Sequence, residues 1–211
     1  MDWITGDPRH VALVLSPKKE GNELVSQKTL EKQVPPRLTD RPLPAYSYVP
    51  RMHPHPFSDA NGHSYREVSK LIELSDDSSI TLHNDWAIDL FNHGYYWESH
   101  EAWEAIWAAY GRVGTQADFV KGLIKLAAAG VKAREGNANA VQRHAQRAAE
   151  LFEGYLHADG GTGDQLLGMS SDWLLMQSRL ICEQPERFTD ATPCQVKRVF
   201  LFQLVPSHAP A

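Results

Sequence analysis

The segment YYWESHEAWEAIW, residues 95–107, interleaves Glu98, His100, Glu101 and Glu104 with Trp97, Trp103 and Trp107. An imidazole and a carboxylate one helical turn apart are metal-ligand or acid-base chemistry, whereas indole rings favour burial. With about 100° per residue and His100 as zero, Glu104 falls at about 40°, Trp97 at about 60°, Trp103 at about −60° and Trp107 at about −20°. His100 and Glu104 are therefore expected on the tryptophan face and turned inward. Glu101 falls on the flank near about 100°, and Glu98, near about 160°, is expected to point away.

Two kinds of site fit that arrangement. In one, His100 and Glu104 line the pocket of a ligand- or partner-binding module together with Trp97, Trp103 and Trp107. In the other, His100 and Glu104 hold a divalent metal and Glu101 or Glu98 activates water in a hydrolase. A metal needs further ligands, with His83, His93, His144, His157 and the proline-rich segment as sources. Spacing alone favours a simpler arrangement, a buried pair in which Glu104 accepts a hydrogen bond from His100. The stretch RMHPHPFSDANGHSY adds His53, His55 and His63 as a second candidate metal set. For these, proline-rich loop chemistry with a turn at Asp59, Asn61 and Gly62 is the simpler reading. A di-iron bundle is set aside, because no glutamate is followed three residues later by histidine.

The elements that must position these groups are punctuated by proline. None of the 13 prolines lies between residues 57 and 184, and that stretch reads as helical. A first helix runs through Ile80, Asn84, Ala87 and Phe91 and stops at Gly94; a second carries the opening segment and ends at Gly111, forming an antiparallel hairpin with the first. A third shows Phe119, Gly122, Leu123, Leu126, Ala127 and Gly130 on one stripe, where the two glycines imply a neighbour pressed against the backbone. A fourth, capped by Asn137 or Asn139, buries Val141, Ala145, Ala148, Phe152, Tyr155 and Leu156 and leaves Gln142, Arg143, Gln146, Arg147, Glu150 and Glu153 on a solvated face. HADGGTGDQLLGMSS reads as a loop, and a fifth helix, capped by Ser171 or Asp172, ends before Pro185.

The flanks differ in kind. HVALVL fits a short strand, and PKKEGNELVSQKTLEKQ is polar and expected to be mobile. VPPRLTDRPLPAYSYVPRMHPHP favours extended geometry, with Tyr46, Tyr48, Val49 and Met52 placed to fasten it across another surface. The tail PCQVKRVFLFQLVP fits helix and strand templates equally and stays unassigned. The expected organisation is an all-α chain: residues 1–75 as an N-terminal extension with a Pro/His-rich wrapping arm, 76–185 as a bundle of about five helices, and 186–211 as a tail.

Composition narrows the classes of function. A net charge of −5, from 21 basic and 26 acidic residues, gives no general attraction to nucleic acid or anionic membrane. The two cysteines, Cys182 and Cys194, form neither a zinc motif nor a disulfide framework and suit a reducing compartment. No apolar run suffices to span a bilayer and the first ten residues lack a secretory pattern, so the cytoplasm is the expected location. Phosphate loops, nucleophile elbows and paired cysteine ligands are all missing from the sequence.

The combination DLFNHGYYWESHEAWEAIW and FVKGLIKLAAAGVKAREGN resembles the bacterial and archaeal family called domain of unknown function 309. The resemblance rests on Phe91, Asn92 and Gly94, on Glu98, His100, Glu101, Glu104 and Trp107, and on Gly122, Leu123, Ile124 and Ala127, and spans residues 80–158. It implies a compact helical bundle and no particular reaction, and it singles out Glu98, His100, Glu101 and Glu104 as a candidate site. The chain departs from the family at Lys125, where glutamine is frequent, and near Val131 and Lys132, where an aromatic and a histidine are frequent. The expected function is a binding module with a His/Glu/Trp-lined pocket for a small molecule or protein, with the metal-dependent hydrolase as its alternative and a divalent metal as the cofactor that alternative requires.

Overall fold

Helix boundaries follow the local chemistry of caps and stops. The computed structural model describes residues 34–66, 76–158 and 165–209. The strand expected over residues 10–15 and the polar stretch 17–33 lie outside them. Five helices pack against one another: α1 (Asp77–Asn92), α2 (Tyr96–Ala109), α3 (Thr115–Arg134), α4 (Ala138–Leu156) and α5 (Ser171–Glu183). Asp76 begins α1 with a capping box, accepting from the Ser79 N–H at 2.7 Å while Ser79 Oγ faces the Asp76 N–H. Asn137 caps α4 by accepting from the Ala140 N–H at 3.0 Å.

Each helix packs on its neighbours in the chain. The first two form the expected antiparallel hairpin: Ser99 Oγ donates to the Ala87 carbonyl at 2.9 Å, and Trp103 Nε1 donates to Asn84 Oδ1 at 3.0 Å. Gly94 ends α1 at φ 89°, and a Cβ there would lie 2.7 Å from the Lys197 carbonyl oxygen. Glycine is needed at that point both for the left-handed turn and for the close passage of the tail.

The stripe on α3 has the close neighbours its glycines imply. A Cβ on Gly122 would lie 2.6 Å from the Phe152 ring of α4, and one on Gly130 would lie 2.5 Å from the Tyr96 ring of α2. Phe119 completes the α3–α4 contact by packing edge-on against Phe152 and Tyr155. The aromatic core then continues through Phe91, Tyr96, Trp103 and Phe200.

Two local expectations are corrected. Part of the loop before α5 is a small antiparallel ladder, β1 (Gln165–Leu166) with β2 (Met169–Ser170). Its two-residue turn takes φ 55° at Leu167 and 73° at Gly168, the twist that matches a tight hairpin. Consequently the cap of α5 falls one residue early, on Ser170, which accepts from the Trp173 N–H.

The tail is neither helix nor strand. After a 3-10 turn at Pro185–Phe188 it runs extended over the bundle, and helix side chains satisfy its backbone. Asn92 accepts from the Leu204 N–H and donates to the Leu204 carbonyl, both at 2.8 Å. Tyr96 Oη accepts from the N–H groups of Val199 and Phe200. Buried Arg134 donates to the carbonyls of Asp190 and Thr192. Every such bond replaces a ladder partner, so no sheet is required.

The arm over residues 34–66 also lies on the helices, as its aromatic residues suggested. Two buried carboxylates hold it. Asp89 of α1, fully buried, accepts from the N–H groups of Leu38 and Thr39 and from Thr39 Oγ1, and Arg37 Nε lies 3.0 Å away. Glu98 of α2 accepts from the Tyr48 N–H. Arg41 and Arg37 further stack over the Trp86 ring.

Candidate functional site

Helix α2 buries a different face from the one its tryptophans suggest. The buried side runs through Ser99, Ala102, Trp103 and Ile106, about a quarter turn from His100. His100 is therefore at the surface, with 26% of its side chain exposed, and Glu104 is 47% exposed. Neither is turned inward. The His100 Nε2 to Glu104 Oε1 distance of 3.7 Å is too long for a hydrogen bond, which corrects the expectation of an enclosed, bonded pair.

Glu98 is the larger correction. It lies on the face expected to point away, yet it is 7% exposed because the arm covers that face. Its Oε1 takes the Tyr48 N–H at 2.8 Å and lies 3.1 Å from His63 Nε2. A helical angle locates a side chain on its own cylinder and is blind to what a distant segment lays over it.

The three tryptophans occupy three environments. Trp103 is sealed in the core on Asn84. Trp97 sits beneath the arm against Tyr48, His55 and Phe57. Trp107 is half-buried, with Lys121 Nζ 5.5 Å and Arg112 Cζ 5.6 Å from its ring centre. These rings do not surround one common cavity with His100 and Glu104.

His100, Glu101 and Glu104 do converge. Each offers a ligand atom within 4.8 Å of those of the others, and they are the sole such trio of histidine, cysteine or acidic residues among the described residues. His100 Nδ1 lies 3.6 Å from Glu101 Oε1 and is buried without a hydrogen-bond partner. The imidazole is thus bracketed by two carboxylates, one on each ring nitrogen, with water on the outer side.

The other histidines are dispersed. His83 faces the backbone at Ala102, and burial holds its pKa below the usual range. His93 and His157 bond to the carbonyls of Asp89 and Glu153 within their own helices. His144 of α4 is the member that feels His100; burial, then Lys125, Lys132 and Arg143, lower its pKa to about 4. In the arm, His53 stacks on Tyr46, His55 Nδ1 accepts from the Phe57 N–H, and His63 bridges Ser64 Oγ and Glu98. Each is engaged in fastening the arm.

Asp89 and His144 are the residues sequence reasoning weighed too lightly. A carboxylate inside the apolar run AIDLF was the available signal for Asp89, since an ionised group in a buried stripe requires donors from elsewhere.

Part of this helical region is similar to a known family. Residues 85–144 match the family model described as Domain of unknown function (DUF309). The DUF309 match covers the second half of α1, all of α2 and α3, and the start of α4, and so contains His100, Glu101, Glu104, Lys125 and His144. The arm and tail that enclose those helices fall outside it. No curated protein matches the chain, and no solved structure matches it. Among the described residues, no helix is long and apolar enough to cross a membrane.

Proposed function

We propose that the DUF309 segment serves a ligand-binding module whose recognition group is a divalent cation held by His100, Glu101 and Glu104. The observation that supports this is the convergence of their three donor atoms within 4.8 Å. Donors bound to one ion at about 2.0–2.2 Å lie roughly 3–4 Å apart, and half-exposed glutamates reach that spacing by rotamer changes alone. One imidazole with two carboxylates suits zinc, iron or manganese better than the all-oxygen preference of calcium or magnesium.

A cation held by three ligands from one face of a single helix keeps its outer positions for water or a bound molecule. Hydrolysis would further require a base outside the ligand set. Glu98 already accepts from Tyr48 and His63, and Glu101 belongs to the set, so binding is the reading adopted.

Metal analysis with Mn2+ and Zn2+ titrations tests it, using the wild type, His100→Ala and Glu104→Ala, with folding checked by circular dichroism. About one equivalent should bind to the wild type and be lost in both variants. Full retention in either variant, or no binding by the wild type, overturns the proposal.

A further inference from the structure

Where the arm crosses α2, one histidine bridges a serine and a buried carboxylate. His63 Nδ1 lies 3.1 Å from Ser64 Oγ, and His63 Nε2 lies 3.1 Å from Glu98 Oε1. A carboxylate oxygen can only accept, so Nε2 carries the imidazole hydrogen and Nδ1 keeps its lone pair for the Ser64 hydroxyl. Hydroxyl, imidazole and carboxylate are thereby linked in the order that activates a serine for acyl transfer. The two ring nitrogens are used in the reverse sense from the usual triad, because Ser64 directly follows His63 in the chain.

The three groups are held from several sides. The His63 N–H donates to Tyr46 Oη at 3.3 Å, and the Tyr46 ring packs edge-on against the imidazole. The Ser64 N–H donates to the Pro56 carbonyl at 3.2 Å, and a Cβ on Gly62 would collide with that same oxygen, so glycine is what lets this turn close. The Tyr48 N–H fixes Glu98 Oε1 at 2.8 Å. Glu98 Oε2 is buried with no hydrogen-bond partner, and among the described residues His63 alone forms an ion-pair contact with this carboxylate. Its charge therefore acts on the imidazole, where it stabilises the imidazolium that forms as the serine gives up its proton.

We propose that Ser64 is a nucleophile that takes the acyl group of an activated ester, with His63 as its general base and Glu98 as a positioning residue. Ser64 Oγ forms a bond to the acyl carbon as its proton passes to His63 Nδ1; the ester C–O bond breaks, and the leaving oxygen takes that proton. Water then releases the acid by the same route in reverse, so the net reaction is ester hydrolysis. Ser64 is half-buried and the next two residues, Tyr65 and Arg66, are exposed, which leaves the serine open to a substrate from solvent. The N–H groups of Ser64 and Tyr65 are already bonded to the carbonyls of Pro56 and Gly62. The two nearest main-chain donors are thus spent on the turn rather than offered to an oxyanion, which restricts the substrate class to esters with a readily departing, phenol-like leaving group rather than amides. This inference is independent of the cation site.

The test treats the full chain with p-nitrophenyl acetate, reading p-nitrophenolate release by absorbance and the acetylated residue by peptide mass spectrometry. A fluorophosphonate, which joins a reactive serine with loss of fluoride, serves as a second probe. Wild-type protein should carry both adducts on Ser64, and Ser64→Ala should carry neither. His63→Gln should slow modification about a hundredfold or more, and Glu98→Gln about tenfold or more. Glu98→Gln keeps an oxygen for the Tyr48 N–H, so unchanged Trp97 fluorescence in that variant separates loss of the carboxylate charge from loosening of the arm. Absence of a Ser64 adduct in the folded wild type, or an equal rate in His63→Gln, overturns the proposal. An equal rate in Glu98→Gln overturns the role assigned to the carboxylate.

Discussion

Tyr48 donates its main-chain N–H to Oε1 of Glu98 across 2.8 Å, joining a proline-rich arm to the helix that carries the candidate site fifty residues later. Because Glu98 is 7% exposed, that bond is shielded from competing water. Glu98→Ala should cost about 1–3 kcal/mol, since it leaves a shielded donor unsatisfied. Chemical denaturation measures the loss, and the fluorescence of Trp97, which packs beneath Tyr48, should shift as the arm loosens. An unchanged midpoint together with unchanged emission would show that the arm is held without this bond.

Asp89 anchors the other end of the arm through Leu38, Thr39 and Arg37. Removing the carboxylate strands two backbone donors and the arginine at once, so Asp89→Ala should destabilise by about 3 kcal/mol or more. Limited proteolysis should then cut first between residues 34 and 66. Resistance of Asp89→Ala equal to that of the wild type in that interval would contradict the clamp.

The glycines of the bundle give a paired test. Gly130→Ala places a methyl 2.5 Å from the Tyr96 ring, and the overpacking should cost about 1–3 kcal/mol even after the gain in helix propensity. Gly154→Ala on α4 meets no atom within 4 Å and should stabilise by about 1 kcal/mol. Thermal melts of the two variants should move in opposite directions.

His144 makes stability depend on pH. Its pKa is about 4 in the folded protein against 6.5 for a free histidine, so between those values the unfolded chain binds the additional proton. The contribution is fully present above about pH 6.5 and is lost as pH falls toward 4. His144→Gln should flatten the unfolding free energy across that window. Burial is the largest cause of the effect, followed by the charges of Lys125 and Lys132 from α3, Arg143 on its own helix and His100 from α2. An identical pH profile in the variant would assign the slope to other residues.

The helices were legible because their signals are local. Gly94, Gly111 and Gly136 take positive φ just past three helix ends, and Asn137 caps α4 as its position suggested. The inward glycines of α3 announced close neighbours, which the structure identifies as Tyr96 and Phe152, since contact with another chain segment repays glycine in a helix. The candidate site was half legible. His100, Glu101 and Glu104 were named from spacing and do converge, whereas their exposure was misjudged because Trp97 and Trp107 were read as core.

The sequence by itself determined the helical content and the order of the helices, and it named His100 and Glu104 with Glu101 beside them, all matters of spacing within a few turns. Tertiary structure alone decided that Glu98 is covered, that Asp89 clamps the arm, and that the tail stays extended on Asn92 and Tyr96. Those outcomes join residues far apart along the chain. Periodicity reports which way a side chain faces on its own helix, and the partner that meets it there is fixed only when distant segments compete for the same buried donors and acceptors.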